Sequence, residues 1–336
     1  MTCTQCGDDN SSVNAKFCEG CGHPFIDLPA PVAASMACNC DPTTSASDAD
    51  GFCNNCGVRC VLPGMTDADH CMLEVDNHLA MISDVGRRHV HNEDSGYAGL
   101  TSPASAILVV ADGVSTSFNA SGASALVIEQ VKASLTTSLM QGTCLDTPEL
   151  AMRNAIMDAH QAIMTLPVGN NPRLDEPEST VVAALVTGDA VTIGWVGDSR
   201  AYLIGDKSER CLTVDDSWVE EVVANGTYTR EAASVHKLAH CITQVLGMRD
   251  DVVTPHTMTT RMTADEMLLL CSDGLWNYFQ QNGSLISRIQ QLQQLQQQAG
   301  ESPSARAIGE ALVNDANAAG GHDNITVALL LGGFPS

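Results

Sequence analysis

The chain has 336 residues, 44% of them hydrophobic and only 4% aromatic, so it can bury one sizeable aliphatic core and still leave room for a smaller unit. A formal charge of −24 excludes nucleic acid as the main partner, because phosphate backbones require a basic surface. No apolar run approaches the ~18 residues that would span a bilayer, and MTCTQCGDDN lacks the basic-then-apolar pattern of a leader, so the expectation is a cytoplasmic protein without membrane contact.

The N-terminus is read first through its cysteines. Cys3-x2-Cys6 and Cys18-x2-Cys21 supply four thiolates in two knuckles, each followed by a glycine (Gly7, Gly22). Tetrahedral zinc requires that arrangement, which makes residues 1–26 a zinc ribbon. A proline-bearing linker, 27–36, leads to a less regular unit over 37–60 with Cys38-x-Cys40 and Cys53-x2-Cys56. One zinc is predicted and a second is allowed. Neither unit has enough large apolar side chains to fold without its metal. Residues 1–60 carry only Lys16 and Arg59 against seven acids, which points the ribbons toward a protein partner. Residues 61–77 read as a linker and 78–333 as one domain.

Within that domain, aliphatic runs predict strands at 105–111, 180–187, 190–197, 200–204, 266–271 and 324–331. Helical patterns lie at 120–140, 148–165, 217–225 and 303–318. SLISRIQQLQQLQQQ places Leu285, Ile286, Ile289, Leu292 and Leu295 on one helical stripe. Several strands stop at an acid: Asp112-Gly113, Gly197-Asp198 and Ser272-Asp273-Gly274. Asp323-Asn324 opens the last strand, and Glu93-Asp94 sits in the polar stretch Ser83–Gly96. One strand-end aspartate is an ordinary turn residue. Several beside buried strands would repel one another unless a cation neutralised them. An all-oxygen donor set selects magnesium or manganese over zinc, and a glycine after Asp112 lets a main-chain carbonyl join it.

Taken in order, Asn92-Glu93-Asp94, Val110-Ala111-Asp112-Gly113, Gly197-Asp198-Ser199-Arg200, Ser272-Asp273-Gly274 and Asp323-Asn324-Ile325-Thr326 resemble the metal-dependent serine/threonine protein phosphatases of the protein phosphatase 2C (PPM) family, bacterial type. Further matches are Glu178-Ser179-Thr180 before a strand, DDSWVEEVVANG as the flap helix, and ITQVLG. The resemblance covers about 78–333. It implies an α+β fold, a four-layer α-β-β-α sandwich of two antiparallel sheets. It also implies two Mn2+ or Mg2+ ions, bridged by Asp112, with Asp273 and Asp323 on one and Asp94, Glu93 and the Gly113 carbonyl serving the other. Asp198 matches the position of a third ion. The implied reaction is attack of a metal-activated water on phosphoserine or phosphothreonine of a protein substrate, without a phosphoenzyme.

Three departures stand out. His89 replaces the family's phosphate-binding arginine, with Arg88 beside it, so both join Asp112 as catalytic candidates. Val114-Ser115-Thr116 replaces a glycine-rich loop, and the leaving-group acid is unassigned, with His322 the nearest candidate. The competing reading is an inert phosphatase fold that acts as a zinc-ribbon interaction module. Every metal carboxylate is present, which favours the enzyme.

Overall fold

In the core strands, successive side chains enter two different apolar layers, so the sequence reads as continuous aliphatic runs rather than alternating ones. The computed structural model describes residues 70–142, 147–168, 176–249, 252–281, 283–298, 300, 302–332 and 334. Both cysteine units, 1–26 and 37–60, lie outside the described residues.

One sheet has six strands in the order β1 (His70–Asp76), β2 (Leu79–Asp84), β11 (Ile325–Leu331), β10 (Met267–Cys271), β7 (Arg200–Ile204) and β8 (Glu209–Cys211). The other has five, in the order β3 (Asp94–Ser102), β4 (Ser105–Asp112), β5 (Val181–Thr187), β6 (Ala190–Val196) and β9 (His256–Arg261). All their pairings are antiparallel. Helices α1 (Ala120–Met140) and α2 (Pro148–Ile163) cover the five-stranded sheet. Helices α6 (Ser284–Gln298) and α7 (Ala305–Ala318) cover the six-stranded one.

Parity along the strands separates the layers. On β4, Ala106, Leu108 and Val110 enter the space between the sheets, while Ile107, Val109 and Ala111 face α1 and α2. On β10, Leu268 and Leu270 point between the sheets, and Met267, Leu269 and Cys271 face the other helix layer. Each fully buried leucine or isoleucine contributes about 1.5–3 kcal/mol relative to exposure. Carried one step past the apolar rows, the same parity brings Asp112 and Ser272 to one end of the central layer. That end is the site.

The predicted strands and helices recur within a residue or two. The differences have physical causes. His70–Asp76, expected in the linker 61–77, pair with β2 as an edge strand. All seven of its residues are exposed, so it carries no buried-strand signature. The polar stretch 83–96 is no continuous loop, because Asp94 already begins β3 in register with Asp112. Strand β3 was hidden by Gly96, where a Cβ would come 2.8 Å from Met81 Cγ across the sheets. Strand β9, HTMTTR, is a half-exposed edge with little apolar alternation. On α6 the expected stripe fades, since Leu285 and Ile289 are buried but Leu295 is exposed. Among the described residues, no helix is long and apolar enough to cross a membrane.

Candidate metal centre

Five aspartates reach the same end of the sandwich. Asp94 and Asp112 are register partners on β3 and β4. Asp198 follows Gly197 in the turn between β6 and β7, whose φ of +100° suits glycine. Asp273 opens the one-turn helix α5 (Asp273–Trp276), and Asp323 precedes β11.

Their electrostatics record the crowding. Burial, then the charges of Asp94, Asp273, Asp323 and Asp198, pushes the Asp112 carboxyl well above the usual range. Burial followed by repulsion from Asp198, Asp323 and Asp94 does the same for Asp273. Asp94 is pushed up to about 7, mainly by burial, although a hydrogen bond from Ser272 opposes the shift. Asp198 is also pushed up to about 7, by burial first and then by Asp215. One carboxylate oxygen each of Asp94, Asp198 and Asp273 is buried with no hydrogen-bond partner. Buried, unpaired carboxylate oxygens among mutually repelling charges are costly without a cation, so this all-oxygen donor set fits hard divalent ions. Among the described residues, no three Asp, Glu, His or Cys side chains already close on one point.

A polar row supports the carboxylates. Ser272 Oγ donates to Asp94 Oδ2 at 2.7 Å and accepts from Thr326 N–H at 3.0 Å. Thr326 in turn meets Ser83 at 2.7 Å, and Asn92 Nδ2 donates to Ser83 at 2.8 Å. These residues continue the inward-facing parity of β10, β11 and β2. Asn324 clamps the opposite side. Its Nδ2 donates to the carbonyls of Val85 (2.8 Å) and His91 (3.2 Å), and its Oδ1 accepts from Glu93 N–H (2.8 Å). Thr180 holds the Asp112 peptide, whose N–H donates to its hydroxyl at 3.2 Å.

The other predicted site residues are placed unevenly. Gly113 sits where a Cβ would come 2.5 Å from the Ala120 carbonyl oxygen, so its backbone approaches closely. Glu93 enters through its main chain, with its carbonyl accepting from Gly113 N–H and Ser124 Oγ. His89 Nε2 lies 3.3 Å from Asp323 Oδ1, at the edge of the cluster. Arg88 turns outward and donates to His322 Nε2 at 2.9 Å. Burial and the Arg88 charge lower the His322 pKa. An imidazole whose Nε2 accepts from a guanidinium is poorly suited to deliver a proton there, which weighs against His322 as the leaving-group acid.

Beside Asp198 and Asp273 lies a cavity of about 680 Å3, walled by Arg200, Glu220, Arg230 and Ile242. Arg200 grips Asp215 through Nε (2.9 Å) and Nη2 (2.7 Å) and stacks 3.6 Å from the centre of the Trp276 ring. Trp276 Nε1 donates to the Asp198 carbonyl at 2.9 Å. Sequence reasoning missed Ser272 as a donor to Asp94, and also Thr180 and Trp276. Ser272 and Thr180 lie in motifs the sequence shows, but no local signal gives their roles, because the partners lie 68 to 178 residues away along the chain.

A protein phosphatase 2C family model matches residues 85–312. The serine/threonine phosphatase stp of Listeria welshimeri is 30% identical over 255 residues, spanning 75% of this chain and 95% of that protein. A crystal structure of a bacterial serine phosphatase superposes with a TM-score of 0.63 at 26% identity, covering 77% of this chain and 99% of that one. The catalytic domain of the serine/threonine protein phosphatase PstP, in complex with two manganese ions, superposes with a TM-score of 0.57 at 29% identity, over 75% of this chain and 96% of that one. The chain belongs to the protein phosphatase 2C family. Its members are serine/threonine phosphatases that use manganese or magnesium.

Proposed function

We infer that this chain is a metal-dependent protein serine/threonine phosphatase. The observation that carries the reading is the aspartate cluster with three buried, unpartnered oxygens at the end of the central layer. In this reading Asp112, Asp273, Asp323, Asp94 with the Gly113 carbonyl, and Asp198 would hold the ions. When bound, such ions supply a nucleophile from water at neutral pH and neutralise charge on the transferring oxygens. The protein's share is to hold the carboxylates in place. Ser272 orients Asp94, Asn324 fixes the Glu93 and Val85 segments, and Asn277 Nδ2 donates to Asp273 Oδ2 at 3.2 Å. His89, at the edge beside Asp323, offers an N–H to a phosphoryl oxygen, and Arg88 adds positive charge nearby. The finer zinc reading stands on cysteine spacing. Cys3, Cys6, Cys18 and Cys21 would hold one zinc, Cys38, Cys40, Cys53 and Cys56 are available for a second, and the ribbons would offer a surface to a protein partner.

Hydrolysis of p-nitrophenyl phosphate and of a phosphothreonine peptide tests the assignment. Manganese is expected to support turnover, chelation to abolish it, and Asp273→Asn to lower kcat/KM at least 100-fold. Activity that persists in chelator, or survives the substitution, would overturn it. For His89→Ala the expectation is a roughly tenfold rise in phosphopeptide KM, about 1.4 kcal/mol of lost binding, with manganese affinity unchanged. A KM within twofold of wild type would remove His89 from the phosphate site.

A further inference from the structure

The flap, residues 217–241, has almost no core of its own. Val222 and Ala233 are its only buried side chains, and its helices α3 (Trp218–Ala224) and α4 (Arg230–Ser234) are short. Trp218 stacks on His236 at 4.4 Å, with Tyr228 tilted against both, which holds the flap to itself but not to the sandwich. A unit with so few buried contacts takes its position from its attachments.

Besides the Arg200–Asp215 pair just before it, those attachments gather on Asp216. Its Oδ2 accepts from Gly197 N–H at 2.8 Å and from Gln244 Nε2 at 3.0 Å. Its Oδ1 lies 2.8 Å from His256 Nε2, which donates to it in the tautomer protonated at that nitrogen. The main chain of Asp216 donates to the Gly197 carbonyl at 3.0 Å and accepts from Thr243 N–H at 2.8 Å. One residue therefore joins the start of the flap, the segment after it, edge strand β9 through His256, and the turn that presents Asp198. That turn is a fixed point, because at Gly197 a Cβ would come 2.7 Å from Thr180. His256 is itself steadied by stacking on Trp195 at 5.1 Å.

We propose that Asp216 is a positioning residue that straps the flap to the Asp198 turn, with His256 as its outer anchor, and that this strap sets the affinity for phosphoprotein substrates. The substrate half rests on the phosphatase reading. The flap walls the cavity beside Asp198 and Asp273 through Glu220 and Arg230. A phosphopeptide must press against that wall, whereas a small aryl phosphate needs only the metal centre.

Hydrogen exchange of the metal-free, full-length protein tests the strap without any turnover. Amides of 217–241 are expected to exchange at least tenfold faster in Asp216→Ala and His256→Ala, and at the wild-type rate in His256→Gln, which keeps an N–H donor. Kinetics with manganese test the consequence. His256→Ala should raise phosphopeptide KM about tenfold while leaving p-nitrophenyl phosphate kinetics within twofold, and His256→Gln should restore both. Unchanged flap exchange would overturn the strap, as would equal losses on the two substrates. If Asp216→Ala does not fold, the two His256 variants decide alone, since that side chain is half-exposed on an edge strand. A wild-type protein inert toward both substrates would count against the phosphatase reading, and the exchange data would still decide the strap.

Discussion

Asp112→Asn is expected to abolish manganese-dependent turnover, by at least 10³-fold or about 4 kcal/mol, and at the same time to stabilise the metal-free protein. The two effects have one origin. Asp112 is pushed well above the usual carboxylate range, by burial first and then by Asp94, Asp273, Asp323 and Asp198. Without cations, ionising it sets one more negative charge among like charges. An asparagine removes that charge at nearly the same side-chain volume. A gain of about 1–2 kcal/mol corresponds to a Tm rise of roughly 3–6 °C for a domain this size.

The pH dependence follows with a definite sign. Asp94 and Asp198 have folded-state pKa values of about 7, above the ordinary value of 3.8. Between those limits the folded state binds more protons than the unfolded state, so stability falls as pH rises through the window. Metal-free wild type should therefore melt higher at pH 5 than at pH 8, Asp112→Asn should flatten that slope, and manganese should restore stability at pH 8. Scanning calorimetry in chelator and in manganese measures all three. A metal-free Tm that does not fall with pH, or an asparagine variant that melts lower, would refute the crowding.

Much of this was legible before the fold was known, for reasons that can be named. Strands β4, β5, β10 and β11 bury both faces, so their sequences are uninterrupted aliphatic runs and an aspartate at their ends stands out. The direction in which Asp112 points came only with the structure, from the parity of β4. What could not be read is whatever depends on contact between distant segments. From the sequence Ser272 reads as a turn residue or as a support for a metal ligand, and only the approach of β10 to β3 makes its hydroxyl a partner of Asp94. Glu93 was legible as a motif member, yet the hydrogen bonds it makes here are those of its backbone. His256 lies in a strand with no pattern, and its role depends on Asp216, 40 residues away.

The glycine behind Asp273 is the other case where sequence and structure give different reasons. A glycine after a strand-end aspartate suggests a sharp turn that uses glycine's backbone freedom. Gly274 is not among the glycines with positive φ. It is required because a Cβ there would sit 1.9 Å from the carbonyl oxygen of Asn324. Neither group can yield cheaply, since Gly274 lies in α5 between Asp273 and buried Leu275, and Asn324 is the clamp on Val85, His91 and Glu93. Moving Asn324 displaces Asp323 next to it and loosens the segment that carries His89. Gly274→Ala is therefore expected to cost about 3 kcal/mol or more, lowering Tm by at least 6 °C, and to weaken manganese binding more than tenfold by titration calorimetry. Gly205→Ala is the matched control. Its Cβ would meet Glu266 Cγ at 3.1 Å, a flexible side chain that can shift, so the expected cost is within about 1 kcal/mol. Equal stability and equal manganese affinity in the two variants would mean that the Gly274–Asn324 contact does not hold Asp273 and Asp323 in place.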